Sequence, residues 1–383
     1  MNLFFELIQV SIGTLPKLSS APSATQWNEL YTIAKRQAII GICFQGVQLL
    51  YKNNPIQVKY LPSKLKMQWL AVAANIQKHN EKLNLRAQEI TRLFANGGFQ
   101  SCVLKGQGVA ILYNNVIKCE SILNKEHMSL RQSGDIDLWV KGQRKAVIAF
   151  LRQMNWNVGA TVIHHTDAKI FDDVETEIHH YPSYTFSPFR WKKYKKWFNE
   201  QANIQFQNYD SSTQFYHPTT EFNLVYLLMH IYRHVFHEGI GLRQLMDYYM
   251  LLCTASADNN CSQLSNRVKS QIMETLKYLG LEQFAAAVMY VEQQVFGLKN
   301  EFLLCSPNKE TGIFLLNEIM HAGNFGQFDQ RTKRAHNGSD LRLFSYNTLR
   351  LYKMVRFNPS EVIWAPFWKI GHWFYRKIVW NHL

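Results

Sequence analysis

Two aspartates, Asp135 and Asp137, are spaced to share one face of a strand. They lie in a short segment in which acids alternate with apolar side chains, Gly134-Asp135-Ile136-Asp137-Leu138-Trp139-Val140. Residues two apart in a strand point to the same face, so both carboxylates are expected on an outward face, opposite the core. Adjacent carboxylates repel each other, and a divalent cation between them removes that penalty while it positions phosphate groups. The alternative is an edge strand that carries two solvated acids.

Further groups that suit phosphate chemistry flank this pair. Upstream, an apolar run ends at Lys105-Gly106, where a strand is expected to turn into a helix whose free backbone amides bind phosphate. Gly134, directly before the aspartates, lets backbone approach a ligand closely. Downstream, the run Val174-Glu175-Thr176-Glu177-Ile178-His179 predicts a strand with two glutamates and a histidine on one face. A third acid on a neighbouring strand would complete a site for two cations.

These residues resemble a known group of enzymes. Residues 100–180 are similar to the nucleotidyltransferase superfamily of DNA polymerase β type, which holds its metals with an Asp-x-Asp strand and a third acid on a later strand. The closer resemblance is to an uncharacterised bacterial nucleotidyltransferase family, through Leu104-Lys105-Gly106, Arg131-x-x-Gly134-Asp135-Ile136-Asp137-Leu138 and Glu177-Ile178-His179. A helical segment with His230 and His234, and the run Gly241–Asp247, also fit that family.

The resemblance implies an enzyme that transfers a nucleoside monophosphate from an NTP to a hydroxyl acceptor, with Mg²⁺ or Mn²⁺ as cofactor. Asp135 and Asp137 would be metal ligands, and Glu177 would take the third position, as ligand or as base for the acceptor hydroxyl. Three residues would contact the triphosphate: Lys105, Gly106 and Arg131. The acceptor stays open between a small molecule, a sugar, an RNA and a protein. The alternative is a non-catalytic nucleotide-binding or interaction protein on the same fold.

Two features depart from the superfamily pattern. Lys105-Gly106 stands where the superfamily usually has Gly-Ser, and the connection from Gly106 to Asp135 is much longer than the superfamily norm. We expect the insert Ile117–Ser133 to form a mobile flap.

Histidines offer competing signals. Three of them share one helix face at i, i+4 and i+7: His230, His234 and His237. Zinc binding, nucleotide contact and a structural role are all compatible with this spacing. Zinc is disfavoured, because the segment lacks the His-Glu-x-x-His arrangement of metalloproteases. In a strand, neighbouring residues alternate faces, so at most one histidine of each doublet lines a site: His164-His165 and His179-His180.

Two basic and aromatic segments each have two interpretations. Residues 192–197 carry four lysines between rings and suit either nucleic-acid binding or, as we favour, a solvated helix face. The tail 364–380 carries four tryptophans among basic residues. It suits either a membrane surface or, as we favour, packing against the helical part of the chain.

The order of the elements predicts an α+β fold with three parts. Residues 1–98 are expected to be helical, since Ser23 and Gln26 form a capping box before a helical pattern and Asn96-Gly97-Gly98 ends a second helix. Residues 99–185 alternate strands and helices, which predicts a small mixed sheet as the nucleotidyltransferase core. Residues 186–383 return to helices and end in the aromatic tail.

The composition sets limits on partners and location. Lys and Arg total 42 against 28 Asp and Glu, a net charge of +14 that favours anionic partners. The six cysteines are scattered, which is typical of reduced thiols in a reducing compartment. No apolar run reaches the roughly 18 residues of a membrane span. We therefore expect a cytoplasmic protein that does not span a membrane.

Overall fold

The structure of the protein, a computed structural model, describes residues 2–116, 130–257, 264–329 and 349–380. The chain begins with four helices, α1 (Asn2–Ile12), α2 (Ala24–Arg36), α3 (Ile40–Asn53) and α4 (Ser63–Asn96). The predicted capping box of α2 is confirmed: Gln26 N donates to Ser23 Oγ, and Ser23 N donates to Gln26 Oε1. Helix α4 ends at the predicted glycine pair, where Gly98 has a φ of +81°, a conformation that favours glycine.

A mixed five-stranded sheet follows α4. Its strands are β1 (Ser101–Val103), β2 (Ile136–Val140), β3 (Asn157–Thr161), β4 (His165–Lys169) and β5 (Thr176–His179). Helices α5 (Gln107–Ala110) and α6 (Leu112–Val116) lie between β1 and β2, and α7 (Arg144–Gln153) lies between β2 and β3. The strand order is β1-β2-β5-β4-β3; β2 and β5 are parallel, whereas the other three pairs are antiparallel. The predicted α+β fold is confirmed.

Strand β4 is an element that the sequence pattern does not indicate. Its residues are His-Thr-Asp-Ala-Lys, without an alternating apolar face, and Asp and Lys are depleted in strands. It forms because β3 and β5 both pair with it. Tertiary pairing therefore overrides the weak local preference of this segment.

The chain after the sheet is mostly helical. A short hairpin, β6 (Tyr209–Asp210) and β7 (Phe215–Tyr216), interrupts it early. The helices are α8 (Pro188–Gln205), α9 (Thr220–His237), α10 (Leu242–Ala257), α11 (Asn266–Leu279), α12 (Glu282–Phe296), α13 (Lys309–Ala322) and α14 (Pro359–Trp380). In α8, Tyr194 and Trp197 are buried while Lys192, Lys193 and Lys196 are exposed, so the rings of the basic segment belong to the core.

The two faces of the sheet contribute to two cores. One face packs against the end of α4 and against α7, through residues such as Phe94, Val147 and Leu151. The other face joins a larger core that combines the N-terminal helices with α8 to α13. Helix α1 packs on α12, and Thr14 Oγ1 donates to Phe296 O at 2.9 Å. The division into three domains stays a prediction, although element types change near residues 98 and 185.

Helix α14 is anchored through one buried acid. Glu361 is 2% exposed, pairs with Arg190 at 3.0 Å and accepts a hydrogen bond from Thr185 Oγ1. Phe367 and Phe374 on the same helix are exposed. Among the described residues, no helix is long and apolar enough to cross a membrane.

The insert that was expected to form a flap is described only at its end. Residues 117–129 lie outside the described residues. The residues that follow, including Leu130, Arg131 and Ser133, are buried. This end of the insert therefore belongs to the folded body of the protein.

Candidate active site

Strand β2 carries Asp137 on the sheet face that the C-terminal helices cover. The apolar side chains of β2 point into the other core, as the alternation predicts: Ile136, Leu138 and Val140. Asp137 is 2% exposed, and Trp139 on the same face stacks on Phe222 of α9 at 5.9 Å. The prediction that this face points outward is therefore wrong, because helices from later in the chain bury it. Asp135 directly precedes β2 and is half-buried.

Three carboxylates stand in one row across β2, β5 and β4. Asp137 is the partner of Glu177 in the parallel pair β2/β5, and Glu177 is the partner of Asp167 in the antiparallel pair β5/β4. In the neighbouring row, His179 lies opposite His165. Residues opposite each other or two apart share a face. All five side chains therefore lie on the same face of the sheet.

The turn after β1 brings a lysine onto this row. Leu104 N donates to Asp137 O at 2.9 Å, and Lys105 Nζ lies 2.8 Å from Asp137 Oδ1. Gly106 follows with a φ of +55°, and a Cβ there would stand 3.3 Å from Asp135 O. The position therefore favours glycine, which lets the turn pass close to both aspartates.

The three acids Asp135, Asp137 and Glu177 differ in the direction in which their pKa values are shifted. Repulsion from Asp137, followed by burial, raises the pKa of Asp135 to about 6. Burial alone would raise the pKa of Asp137, but Lys105 and His179 outweigh it and hold this pKa well below its usual range. Burial would also raise the pKa of Glu177, but the hydrogen bond from His179 outweighs burial and lowers this pKa to about 2. Asp137 and Glu177 are thus ionised at neutral pH.

Glu177, and not Glu175, stands beside the aspartates. Glu177 is in register with Asp137 and is half-buried in the cavity wall. Glu175 is exposed and lines a neighbouring depression. The geometry therefore agrees with the expected order of the two glutamates.

A cavity of about 350 Å³ opens beside the carboxylates. The sheet, the turn after β1 and helices α9 and α10 form its walls. It is lined by all seven residues that the sequence singled out: Lys105, Gly106, Arg131, Gly134, Asp135, Asp137 and Glu177. Residues separated by more than seventy positions therefore meet in one place.

The donor set fits a divalent cation. Among the described residues, three overlapping groups have ligand atoms within 4.8 Å of one another: Asp137, Glu177 and His179; His165, Asp167 and Glu177; and His164, His165 and His179. Carboxylate oxygens suit Mg²⁺ and Mn²⁺. The raised pKa of Asp135 reports uncompensated repulsion, which a cation would relieve.

Arg131 forms hydrogen bonds with a carboxylate of α10. Its Nε and Nη2 donate to the two oxygens of Asp247, each at 2.7 Å, and its Nη1 donates to Ser133 Oγ at 2.9 Å. Tyr113 Oη adds a third hydrogen bond to Asp247 at 2.7 Å. Arg131 lines the cavity, but most of its donors are already used. Its contact with a triphosphate stays a prediction.

Two other arginines in the cavity wall have no carboxylate partner among the described residues. Arg243 Nη1 donates to Gln132 O at 2.7 Å, while its Nε is buried without a partner in the described part of the chain. Burial and the nearby Arg131 lower the pKa of Arg243 to about 10. Among the described residues, Arg233 contacts histidine nitrogens, including His234 Nε2 at 2.8 Å. An anionic ligand would satisfy both cations.

The histidines of α9 divide between the cavity and its surroundings. His230 and His234 line the cavity, and burial first, with nearby cations, keeps their pKa values well below the usual range. His237 does not line it. None of the three belongs to a group with metal-ligand spacing among the described residues.

Sequence patterns did not identify three residues of this site, Asp167, Arg233 and Arg243, and indicated His165 only as one member of the doublet His164-His165. Arg233 carried a usable signal, because i+3 from His230 places both on one helix face. Arg243 lies in the run Gly241–Asp247, which already fitted the family pattern. Asp167 carried no local signal, since its position depends on the unrecognised strand β4.

Comparison with known protein families identifies the family of this chain. A model of the family described as uncharacterised nucleotidyltransferase matches residues 23–296. No curated protein and no solved structure matches the chain. The matched range includes the turn after β1, strands β2, β4 and β5, and helices α9 and α10, which line the cavity; Phe325, which also lines it, lies outside the range. The chain belongs to this nucleotidyltransferase family.

Proposed function

We propose that the protein transfers a nucleoside monophosphate from an NTP to a hydroxyl acceptor, in a reaction that depends on Mg²⁺. The observation that carries the proposal is that acidic and basic side chains line one cavity. Asp135, Asp137 and Glu177 line this cavity together with Arg233 and Arg243, two arginines that have no carboxylate partner among the described residues. Carboxylates that hold a cation, together with cations that hold phosphates, are the groups that nucleotidyl transfer needs.

The carboxylates would have different roles in the reaction. Asp135 and Asp137 would hold the divalent cation, together with Glu177, and a bound cation would neutralise charge on the phosphates. Lys105 adds a positive charge next to Asp137. An acceptor oxygen then attacks the α-phosphorus, the bond to the β-phosphate breaks, and pyrophosphate leaves. Glu177 would act either as a further metal ligand or as the base that accepts the proton of the acceptor hydroxyl.

The basic residues would bind and orient the nucleotide. Arg233 and Arg243, which have no carboxylate partner in the described part of the chain, would donate to phosphate oxygens, which accept strong charge-assisted hydrogen bonds. Lys105, Gly106, Arg131 and Gly134 line the same cavity and would contact the nucleotide beside the aspartates. Helices α9 and α10 form part of the cavity wall, and Asp137 is buried there, which strengthens its electrostatic interactions.

A second candidate is a nucleotide-binding protein without catalysis. Such a protein gains little from three acids beside an anionic ligand, because like charges repel. The ionised state of Asp137 and Glu177 adds to that repulsion. The site therefore favours catalysis.

Thermal unfolding with each NTP, with and without Mg²⁺, tests the binding step. A ligand at a hundredfold excess over its Kd adds about 2.7 kcal/mol to the free energy of unfolding, which a melting curve resolves. Transfer is tested with NTP labelled at the α-phosphate, incubated with metabolite, RNA and protein fractions. Label appearing in an acceptor supports the proposal. Binding that depends on Mg²⁺ without transfer to any fraction supports the non-catalytic alternative, and no NTP binding at all refutes both.

A further inference from the structure

Strand β4 places two potential ligands next to Glu177 that the nucleotidyl-transfer scheme does not use. Asp167 is the direct partner of Glu177 across β4 and β5. Like charges directly opposite each other destabilise a sheet. His165 lies between them, with Nε2 at 3.1 Å from Asp167 Oδ1 and Nδ1 at 3.5 Å from Glu177 Oε2.

The neighbouring groups define which nitrogen of His165 is free. Arg233 carries only donors, and its Nη1 lies 3.5 Å from His164 Nε2, which makes that nitrogen an acceptor. His165 Nδ1, at 3.0 Å from the same His164 Nε2, then donates its proton there.

This assignment leaves an electron pair facing a carboxylate. With the proton on Nδ1, the lone pair of His165 Nε2 points towards Asp167 Oδ1 at 3.1 Å. Two acceptors at this distance repel unless a proton or a metal cation lies between them. A histidine that donates its second nitrogen to a neighbouring group is the usual arrangement of a metal ligand. The pair His164 and His165 has this arrangement.

The three side chains are accessible enough to admit a cation. Their exposed fractions are 14% for His165, 49% for Asp167 and 31% for Glu177. Their ligand atoms lie within 4.8 Å of one another. A cation there would keep positions open for water or a ligand, since the protein supplies three groups.

We propose that His165, Asp167 and Glu177 form a second cation site, which binds a divalent transition metal of the Mn²⁺ class. An imidazole nitrogen with two carboxylates suits Mn²⁺, whereas Mg²⁺ and Ca²⁺ take oxygen ligands. Glu177 lies between this site and the pair Asp135 and Asp137, and lines both adjoining cavities. The site does not depend on nucleotidyl transfer, because it requires neither a nucleotide nor an acceptor.

Binding of Mn²⁺, followed by electron paramagnetic resonance in excess Mg²⁺ and without nucleotide, tests the proposal. Mg²⁺ competes for sites built from oxygen alone, so one Mn²⁺ per chain is expected to remain. Its pulsed spectrum is expected to show coupling to a ¹⁴N nucleus. Asp167→Asn and His165→Gln should each weaken this Mn²⁺ binding by about tenfold or more, and His165→Gln should also remove the ¹⁴N coupling.

Asp172→Asn is the matched control. Asp172 is 96% exposed, and its one salt bridge among the described residues is with Lys169. This variant therefore loses the same charge near the site and should bind Mn²⁺ like the wild type. The proposal is overturned if Asp167→Asn binds like Asp172→Asn, if the retained Mn²⁺ shows no ¹⁴N coupling, or if that coupling survives in His165→Gln. Incorporation of labelled NTP is measured separately, so failure of one proposal leaves the other standing.

Discussion

Asp137 and Glu177 are direct neighbours on parallel strands, and a single imidazole contacts both carboxylates. Nε2 of His179 lies 2.8 Å from Asp137 Oδ1 and 3.2 Å from Glu177 Oε2. His179 is 1% exposed, and burial alone would lower its pKa, but the hydrogen bonds to the two acids raise it. The imidazole therefore fixes the two carboxylates relative to each other and keeps them ionised.

Replacing Asp137 by Asn should abolish most of the activity. The amide keeps the shape but is a poor ligand for Mg²⁺, and the rate of transfer should fall about a thousandfold, which corresponds to roughly 4 kcal/mol of barrier. Single-turnover incorporation of labelled NTP measures this. Glu175→Gln is the control, because it removes a nearby exposed charge; equal rates for both variants would refute the role of Asp137.

The same substitution should lower stability at neutral pH. The folded protein holds the pKa of Asp137 well below 3.8, so the ionised side chain stabilises the fold at any pH above that value. Asn lacks this charge and leaves Lys105 and His179 without it. Thermal unfolding without added metal is the measurement, and an unchanged or higher melting temperature would contradict the proposed balance of charges.

Arg233→Gln and Arg243→Gln should weaken nucleotide binding. A hydrogen bond to a charged group contributes about 1.5–3 kcal/mol, so each variant should raise the Kd for the NTP roughly tenfold or more. Binding of Mn²⁺ without nucleotide should stay at the wild-type level in Arg243→Gln, since Arg243 is not a metal ligand. Titration calorimetry checks both values. Arg92→Gln, on the exposed side of α4, is the control and should change neither.

Arg131 and Asp247 should behave as a coupled pair in stability measurements. Both side chains are buried and are joined by two hydrogen bonds of 2.7 Å. Removing one partner leaves an uncompensated buried charge, which costs about 3–5 kcal/mol. Arg131→Met and Asp247→Leu should each lower the free energy of unfolding by that amount. The double variant should lose clearly less than the sum, and strict additivity would show that the pair does not interact.

Glu292 should make the stability of the protein depend on pH. Its side chain is fully buried in α12, and neither carboxylate oxygen has a partner among the described residues. Burial raises its pKa well above 4.5 in the folded protein. The folded state therefore holds the proton more tightly, and the free energy of unfolding falls as pH rises above 4.5, by at most about 1.4 kcal/mol per pH unit.

Urea unfolding between pH 5 and pH 8 tests this effect. Glu292→Gln carries no charge, so its stability relative to the wild type should increase with pH. Glu282→Gln, at an exposed position of the same helix, should parallel the wild type. Parallel curves for Glu292→Gln as well would mean that Glu292 does not titrate differently in the folded protein.

Local periodicity in the sequence was sufficient to predict which side chains of the acidic motif share a face. The alternation in β2 and β5 placed Asp137, Glu177 and His179 on one face, because side-chain direction in a strand repeats every two residues. The same local rules gave the capping box of α2 and the glycine end of α4. These features depend on neighbours within a few positions, so no tertiary information was needed.

Only the tertiary structure decided how that motif is surrounded. Burial of the acidic face comes from helices that follow it in the chain, and the partner of Arg131 is 116 positions away at Asp247. Strand β4, which brings Asp167 beside Glu177, exists through its pairing with β3 and β5. Such contacts are fixed by strand register and helix packing over long separations, which local spacing does not encode.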